Sequence, residues 1–314
     1  MPLTPTSPEP PPRDPDRFPP IFVLATARSY SSVVTTMIGQ HPELVGLPEL
    51  KLFCYETVRE LETSLPPFWI ERGIKHRSPG LVRAIAQFEF DGQKCDSLAL
   101  AQAWLRDRWH WSGAQVFDVL LERLRPRVAV EKSPENLETD GALNRLTSAY
   151  PRARYLHLTR HPVATQRSLQ EHWNRIVPGY SLPGQPMSGI ASWVEVHCRI
   201  LRLAATLPGN RYLRVRAEDV LNNTRAQLRA IAAWLGIRAD ENAIEAMTHP
   251  EASPFASFGL EGSGITGGHD PKFLRDPTPR PVDVLHTLDP PPGWVEHSSL
   301  WQIAVEVANR LGYP

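Results

Sequence analysis

Ile21-Phe22-Val23-Leu24-Ala25-Thr26-Ala27-Arg28-Ser29-Tyr30-Ser31-Ser32 is the stretch on which the fold turns. Its first five residues are apolar with no polar alternation, as in a strand buried on both faces of a parallel sheet. Arg28 to Ser32 form a hydroxyl-rich turn. Val33, Val34, Met37 and Ile38 follow at helical spacing until Gly39 and Pro42 stop the run. The grammar recurs at Arg127–Val130 (strand), Glu131–Asn136 (loop) and 138–149 (helix). It recurs again at Tyr155–Thr159 (strand), Arg160-His161-Pro162 (turn) and Val163–Trp173 (helix). Beyond these, 189–206 reads as a helix, Tyr212–Val215 as a strand and 224–235 as a helix ended by Gly236. Such alternation predicts an α/β fold, a mostly parallel β-sheet flanked by helices with right-handed crossovers. Ligands in such sheets bind beyond the carboxyl ends of the strands, where Arg28 and Arg160 both fall.

The stretch 53–125 reads differently, mostly helical with no clear strand, and is expected to be a helical cap insertion over the sheet edge. Its Trp69, Trp104, Trp109, Trp111 and Phe117 read as core before they read as ligand-facing, because each ring buries so much area. Nine of the first twenty residues are Pro, so 1–18 is expected to be a disordered arm ahead of a single domain over 19–314.

The 34 basic and 34 acidic residues balance, which argues against nucleic-acid binding by bulk electrostatics and makes any anion site local. Cys54, Cys95 and Cys198 are too far apart for a zinc or redox pair and read as free thiols. No run approaches the apolar length of a membrane span, and the N-terminus has no apolar signal segment. A cytoplasmic protein without a membrane partner is the expectation. His157, His161, His172 and His249 lack metal-ligand spacing, so no metal is implied.

The turn at 28–32 can bind an anion, because amides at a helix N-terminus, the helix dipole, three Ser hydroxyls and Arg28 converge there. A capping turn with a surface Arg is the bland alternative. The Walker A spacing is absent, which disfavours a nucleoside triphosphate hydrolase. Arg160 with Ser168 eight residues later is a second, weaker candidate anion site at another strand end, for which a capping Arg and a solvated Ser are an equal alternative. Two such sites suggest a ligand with two separated phosphates.

These residues resemble those of sulfotransferases that use 3′-phosphoadenosine-5′-phosphosulfate (PAPS). Arg28-Ser29-Tyr30-Ser31-Ser32 looks like the family's 5′-phosphosulfate loop, and Leu158-Thr159-Arg160-His161-Pro162 with Ser168 resembles its 3′-phosphate motif. Glu131-Lys132-Ser133-Pro134 and Leu213–Val220 resemble two intervening segments, and Gly267-Gly268-His269-Asp270-Pro271-Lys272 resembles its nucleotide-covering loop. Leu47–Phe53 and Gly80–Ile85 look most like bacterial sulfotransferases associated with polyketide synthases.

The resemblance implies a P-loop-like fold and O-sulfonation of a hydroxyl on a small molecule or on an acyl chain held by a carrier protein. It implies that Arg28, Ser29, Tyr30, Ser31, Ser32, Arg160, Ser168, Gly268 and Lys272 bind the donor. Sulfuryl transfer resembles phosphoryl transfer, so it needs a cation at the leaving oxygen and a base for the acceptor hydroxyl. Arg28 fills the first role. Glu49 is the first choice of base and His269 the second, an imidazole of ordinary pKa suiting neutral pH. The alternative for Glu49 is a loop salt bridge with Lys51, and Lys132 either touches the transferred group or pairs with Glu131. Three departures stand out: Tyr30 replaces the usual Gly, Ala217 the usual Tyr, and His269 a small polar residue. The other readings are a nucleotide- or carrier-binding module without chemistry, and a small-molecule kinase.

Overall fold

The computed structural model describes residues 8–9, 19–71, 76–176, 188–290 and 299–314, apart from the side chains of Phe68, Trp69, Ile176 and Ser188. In chain order the elements are β1 (Ile21–Leu24), α1 (Ser31–Gly39), β2 (Leu44–Gly46), α2 (Val58–Thr63), α3 (Pro67–Ile70), α4 (Pro79–Glu89), α5 (Cys95–Asp107) and α6 (Gly113–Leu124). Then come β3 (Val128–Glu131), α7 (Asp140–Ala149), β4 (Arg154–Thr159), α8 (Pro162–Ile176), α9 (Ser188–Ala204) and β5 (Tyr212–Arg216). The chain closes with α10 (Ala217–Asn222), α11 (Thr224–Leu235), α12 (Glu241–Met247), α13 (Pro271–Arg275) and α14 (Ser299–Arg310).

All neighbouring strands pair in parallel, in the order β2-β3-β1-β4-β5. Strand β1 is buried on both faces, as its unbroken apolar run requires, with Ile21 opposite Val130 and Phe22 opposite Tyr155. From β1 the chain crosses to β2 on one side, and from β4 to β5 on the other. The crevice between crossovers of opposite direction therefore opens at the carboxyl ends of β1 and β4.

Alternate residues of β1 and the Ala25 that follows it serve two cores. Ile21, Val23 and Ala25 pack with Val34, Met37, Leu228 and Ile231 of α1 and α11. Phe22 and Leu24 face the helices between β2 and β3, where Phe22 meets Phe53 at 5.8 Å and Phe117 at 5.9 Å between ring centroids. Leu61, Leu81, Ile85, Leu98, Leu105 and Phe117 belong to that same cluster, so the helices over 53–125 share the sheet's core. Trp111 is buried there, and Trp104 and Trp109 pack against it half-buried. The side chain of Trp69 lies outside the described residues.

Sequence periodicity missed β2, three residues pairing with β3 at the sheet edge, because so short a run has no period. A Cβ at Gly39 would stand 2.2 Å from the Gly46 Cα, so glycine lets the end of α1 lie against this strand. Of the expected Pro-rich arm, Pro8 and Glu9 are described, and the Pro8 carbonyl accepts the Trp111 indole N–H at 3.0 Å. The rest of 1–18 lies outside the described residues. Among the described residues no helix is long and apolar enough to cross a membrane.

Candidate active site

Because β1 lies between β3 and β4, the loops leaving these three strands meet, and each brings a cation. Lys132 follows β3, Arg28 follows β1 and Arg160 follows β4. Together with α13, the start of α8 and the segment 276–285, Arg28 and Arg160 frame a cavity of about 660 Å³, and Lys132 meets it only through Ser32. Arg28, Tyr30, Ser32, Arg160, Ser168 and Lys272 all line it.

The turn after β1 is left-handed at two residues, Arg28 with φ 66° and Tyr30 with φ 57°. Such a conformation is costly for a side chain bearing a Cβ. At Tyr30 the cost is offset by tertiary contact: the Arg160 guanidinium lies 4.1 Å from the ring centroid and donates to the phenol oxygen at 3.0 Å. Arg160 also donates to the Arg28 carbonyl at 2.6 Å. The position where the family usually has Gly thus holds an aromatic platform for Arg160.

Arg28 donates to Ser168 Oγ at 3.3 Å and forms an ion pair with Asp270. Burial works against ionisation of Asp270, but the charge and hydrogen bond of Arg28 hold its carboxyl below the usual carboxylate range. Asp270 also donates its backbone N–H to Ser32 Oγ at 3.0 Å and caps α13. Lys132 is buried, donates to Ser32 Oγ at 3.1 Å and pairs with Glu49. Arg160 differs from the other two cations. Among the described residues no carboxylate pairs with it, its Nε has no hydrogen-bond partner, and burial lowers its pKa.

The expected site residues divide accordingly. Ser29 is buried and shares its hydroxyl proton with Thr26 at 2.6 Å, and neither it nor Ser31 reaches the cavity wall. Gly268, at φ 100°, contributes backbone: its carbonyl accepts from the Glu49 N–H at 2.7 Å. Lys272 lines the cavity but holds Glu171 at 3.0 Å. Glu49 pairs with Lys132 and leaves Lys51 to Glu135, while Glu131 takes the Ser133 hydroxyl and is pushed up to about 7 by burial.

His269 stands beside Phe273, ring centroids 5.3 Å apart, with its Nδ1 buried and unpartnered. Burial first, then Lys132 and Arg83, push its pKa well below the ordinary value. The expectation of an imidazole titrating near neutrality is thereby corrected, since burial and two nearby cations keep the ring neutral in the free protein.

Sequence reasoning did not single out Asp270 as a site residue, and its partner Arg28 is 242 positions away. Nor did it find the wall built by Leu221, Phe273, Pro279, Val282 and Leu285. Asn222 pins that wall, donating to the Val282 carbonyl at 2.9 Å and accepting its N–H at 2.7 Å. Ala217 is buried in the apolar core and takes no part in the wall.

A comparison with curated proteins returns no match. Among solved structures the chain is similar to a sulfotransferase domain from the curacin biosynthetic pathway, with TM-score 0.77 and 22% identity over 95% of this chain and 99% of that one. It is also similar to the sulfotransferase domain of the Synechococcus PCC 7002 olefin synthase, with TM-score 0.70 and 24% identity over 96% and 98% of the two chains. A family model described as the sulfotransferase family matches residues 19–241, which include the turn at 28–32, Glu49, Lys132, Arg160 and Ser168. The chain belongs to the sulfotransferase family.

Proposed function

We propose that the protein transfers a sulfuryl group from PAPS to a hydroxyl acceptor. One observation carries the choice of donor: Arg160 is a half-buried cation on the cavity wall with no carboxylate partner among the described residues and an Nε without a hydrogen-bond partner. A partly desolvated charge with no ion-pair partner is stabilised when an anion arrives to meet it. The neighbouring serines and Arg28 supply further donors, so the residues present fit a ligand with two phosphate groups. Bound there, PAPS would supply the activated sulfuryl group and an anionic leaving phosphate.

In this reading Arg160 and Ser168 hold the 3′-phosphate, and the turn from Arg28 to Ser32 holds the 5′ end. Arg28 is a planar fork suited to two phosphate oxygens, with Ser168 and Asp270 fixing its orientation. Lys132 bridges Ser32 and Glu49 and so stands between the donor turn and the acceptor side. Charge developing on transferred and leaving oxygens is met by groups already in place, which is where such sites gain most of their rate. His269 takes the acceptor's proton: its ring is neutral and its Nδ1 unspent, and an anionic donor bound beside Lys132 would offset the cation charge that disfavours the protonated ring in the free protein, whereas Glu49 is committed to Lys132 and orients it. The acceptor hydroxyl belongs to a small molecule or to an acyl chain on a carrier protein, and the likeness to domains of a biosynthetic pathway and an olefin synthase supports the second form.

The test is incubation with PAPS and a panel of hydroxylated small molecules and hydroxyacyl carrier proteins, read by mass spectrometry. Sulfonated product is expected, with His269→Ala losing far more turnover than Glu49→Gln. No product from any acceptor, together with no thermal stabilisation by millimolar 3′-phosphoadenosine 5′-phosphate (PAP), would sink the reading.

A further inference from the structure

Arg83, on α4, is 1% exposed and pairs with no carboxylate among the described residues. Its donors go instead to carbonyl oxygens. Nε donates to Gln93 Oε1 at 2.6 Å, Nη2 to the Pro254 carbonyl at 3.3 Å, and Nη1 to the carbonyls of Ser257 at 2.8 Å and Gly267 at 2.5 Å. Ser257 and Gly267 are the two ends of one loop, closed by a bond from the Gly267 N–H to the Phe258 carbonyl at 2.9 Å. A single guanidinium nitrogen therefore clasps both ends. The loop lies tight against it: a Cβ at Gly259, where φ is 94°, would stand 3.2 Å from Arg83 Nε.

The chain leaving this clasp is Gly268-His269-Asp270. Gly268 accepts from the Glu49 backbone, and Asp270 meets Arg28 and Ser32. The first turn of α4 secures the other half of the same junction. Ser78 donates to the Leu50 carbonyl at 2.8 Å, and Gly80 leaves room for the Glu49 carbonyl, which its Cβ would meet at 2.4 Å. One helix end thus holds both strands of chain that carry the candidate bases.

Packing alone does not call for a guanidinium here, because well-packed apolar residues commonly replace buried ions without loss of stability. We propose that Arg83 is a positioning residue of the sulfuryl-transfer site: by clasping the 257–267 loop it sets the place of His269, and through Gly268 that of Glu49. This rests on the functional reading above. Arg83 also acts on His269 through its charge. Burial and Lys132 work with it to keep the ring neutral, and Asp270, the acid beside His269, is spent on Arg28.

The test compares wild type with Arg83→Lys, which keeps the charge and loses the fork, Arg83→Met, which loses both, and Gln93→Ala, which removes one acceptor at the rim. Amide hydrogen exchange at Glu49, Gly267 and Asp270 is expected to quicken roughly tenfold in Arg83→Lys, the equivalent of one lost hydrogen bond, and less in Gln93→Ala. NMR of the His269 ring is expected to show no titration between pH 8 and 5 in wild type and in Arg83→Lys, and an upward-shifted titration in Arg83→Met. A merely structural Arg would not separate the two readouts in this way. Unchanged exchange at all three amides in Arg83→Lys and Gln93→Ala overturns the proposal, even if Arg83→Met does not fold. Neither readout needs donor or acceptor, so a wild type that ignores PAP refutes the functional reading separately.

Discussion

Replacing Arg160 by Met should leave the free protein about as stable as before and abolish its response to nucleotide. In the free state the substitution removes two hydrogen bonds, to the Arg28 carbonyl and the Tyr30 phenol, and a cation held 4.1 Å from the Tyr30 ring. It also removes the cost of partly burying a charge that no carboxylate pairs with. With bonds near 1 kcal/mol each and a desolvation cost of similar total, the net change is within about 1 kcal/mol. The bound state is different. At a PAP concentration one hundred times Kd, wild type gains about 2.7 kcal/mol. Losing two charge-assisted bonds of about 1.5 kcal/mol each weakens Kd roughly 150-fold, and the gain at that concentration falls to about 0.3 kcal/mol. At about 2 °C per kcal/mol for a chain of this size, the melting shift drops from about 5 °C to under about 1 °C. Differential scanning fluorimetry with and without PAP measures both numbers. A wild-type shift retained by Arg160→Met would refute the reasoning, as would a free variant melting far below wild type, since Arg160 would then be a structural cation.

Three further outcomes are expected. Tyr30→Ala keeps the left-handed strain at φ 57° and loses the ring under Arg160, so it should destabilise the protein by about 1 kcal/mol and weaken PAP binding; urea titration and fluorimetry check the pair. Gly80→Ala places a methyl 2.4 Å from the Glu49 carbonyl and 3.1 Å from the Gly268 Cα, so it should cost about 1–3 kcal/mol and impair turnover more than nucleotide binding, as calorimetry and kinetics would show. The third concerns acid: His157, His197 and His269 are buried with folded pKa values pushed down, His197 to about 3. Below pH 6.5 the unfolded chain binds protons the folded one refuses, so stability falls as pH falls. The loss is about 1.4 kcal/mol for each imidazole by pH 5.5, or about 4 kcal/mol for the three, and a melting temperature flat from pH 7.5 to 5.5 would contradict it.

Much of the architecture was legible because it is written in local periodicity. The unbroken apolar run of β1, the helical spacing after it and the stop at Gly39 are properties of neighbouring residues, and the later strand–turn–helix units repeat them. The extent of α8 was read three residues short, since polar residues past Trp173 carry no periodic signal. The site was legible in part for the same reason: Arg28 and Arg160 sit just past strand ends, Ser32 in the first turn of α1 and Ser168 nearly two turns into α8, and all reach the cavity. Ser29 and Ser31 read identically in sequence, yet the turn's left-handed residues aim them elsewhere. Tyr30 looked like a liability because a φ above zero is visible in sequence only as a missing Gly, while the guanidinium that accommodates it comes from 130 positions away.

Local chemistry thus determined which elements form and which cations end them, for those depend on spacing over a few residues. Tertiary structure decided which of them meet. Placing β1 between β3 and β4 brings Arg28 and Arg160 to one cavity with Lys132 behind Ser32, and the return of the chain at 254–270 pairs Arg28 with Asp270 and encloses Arg83. It also settled the charge of His269, because an imidazole's protonation depends on burial and on the cations around it, which are far away in sequence and adjacent in the fold.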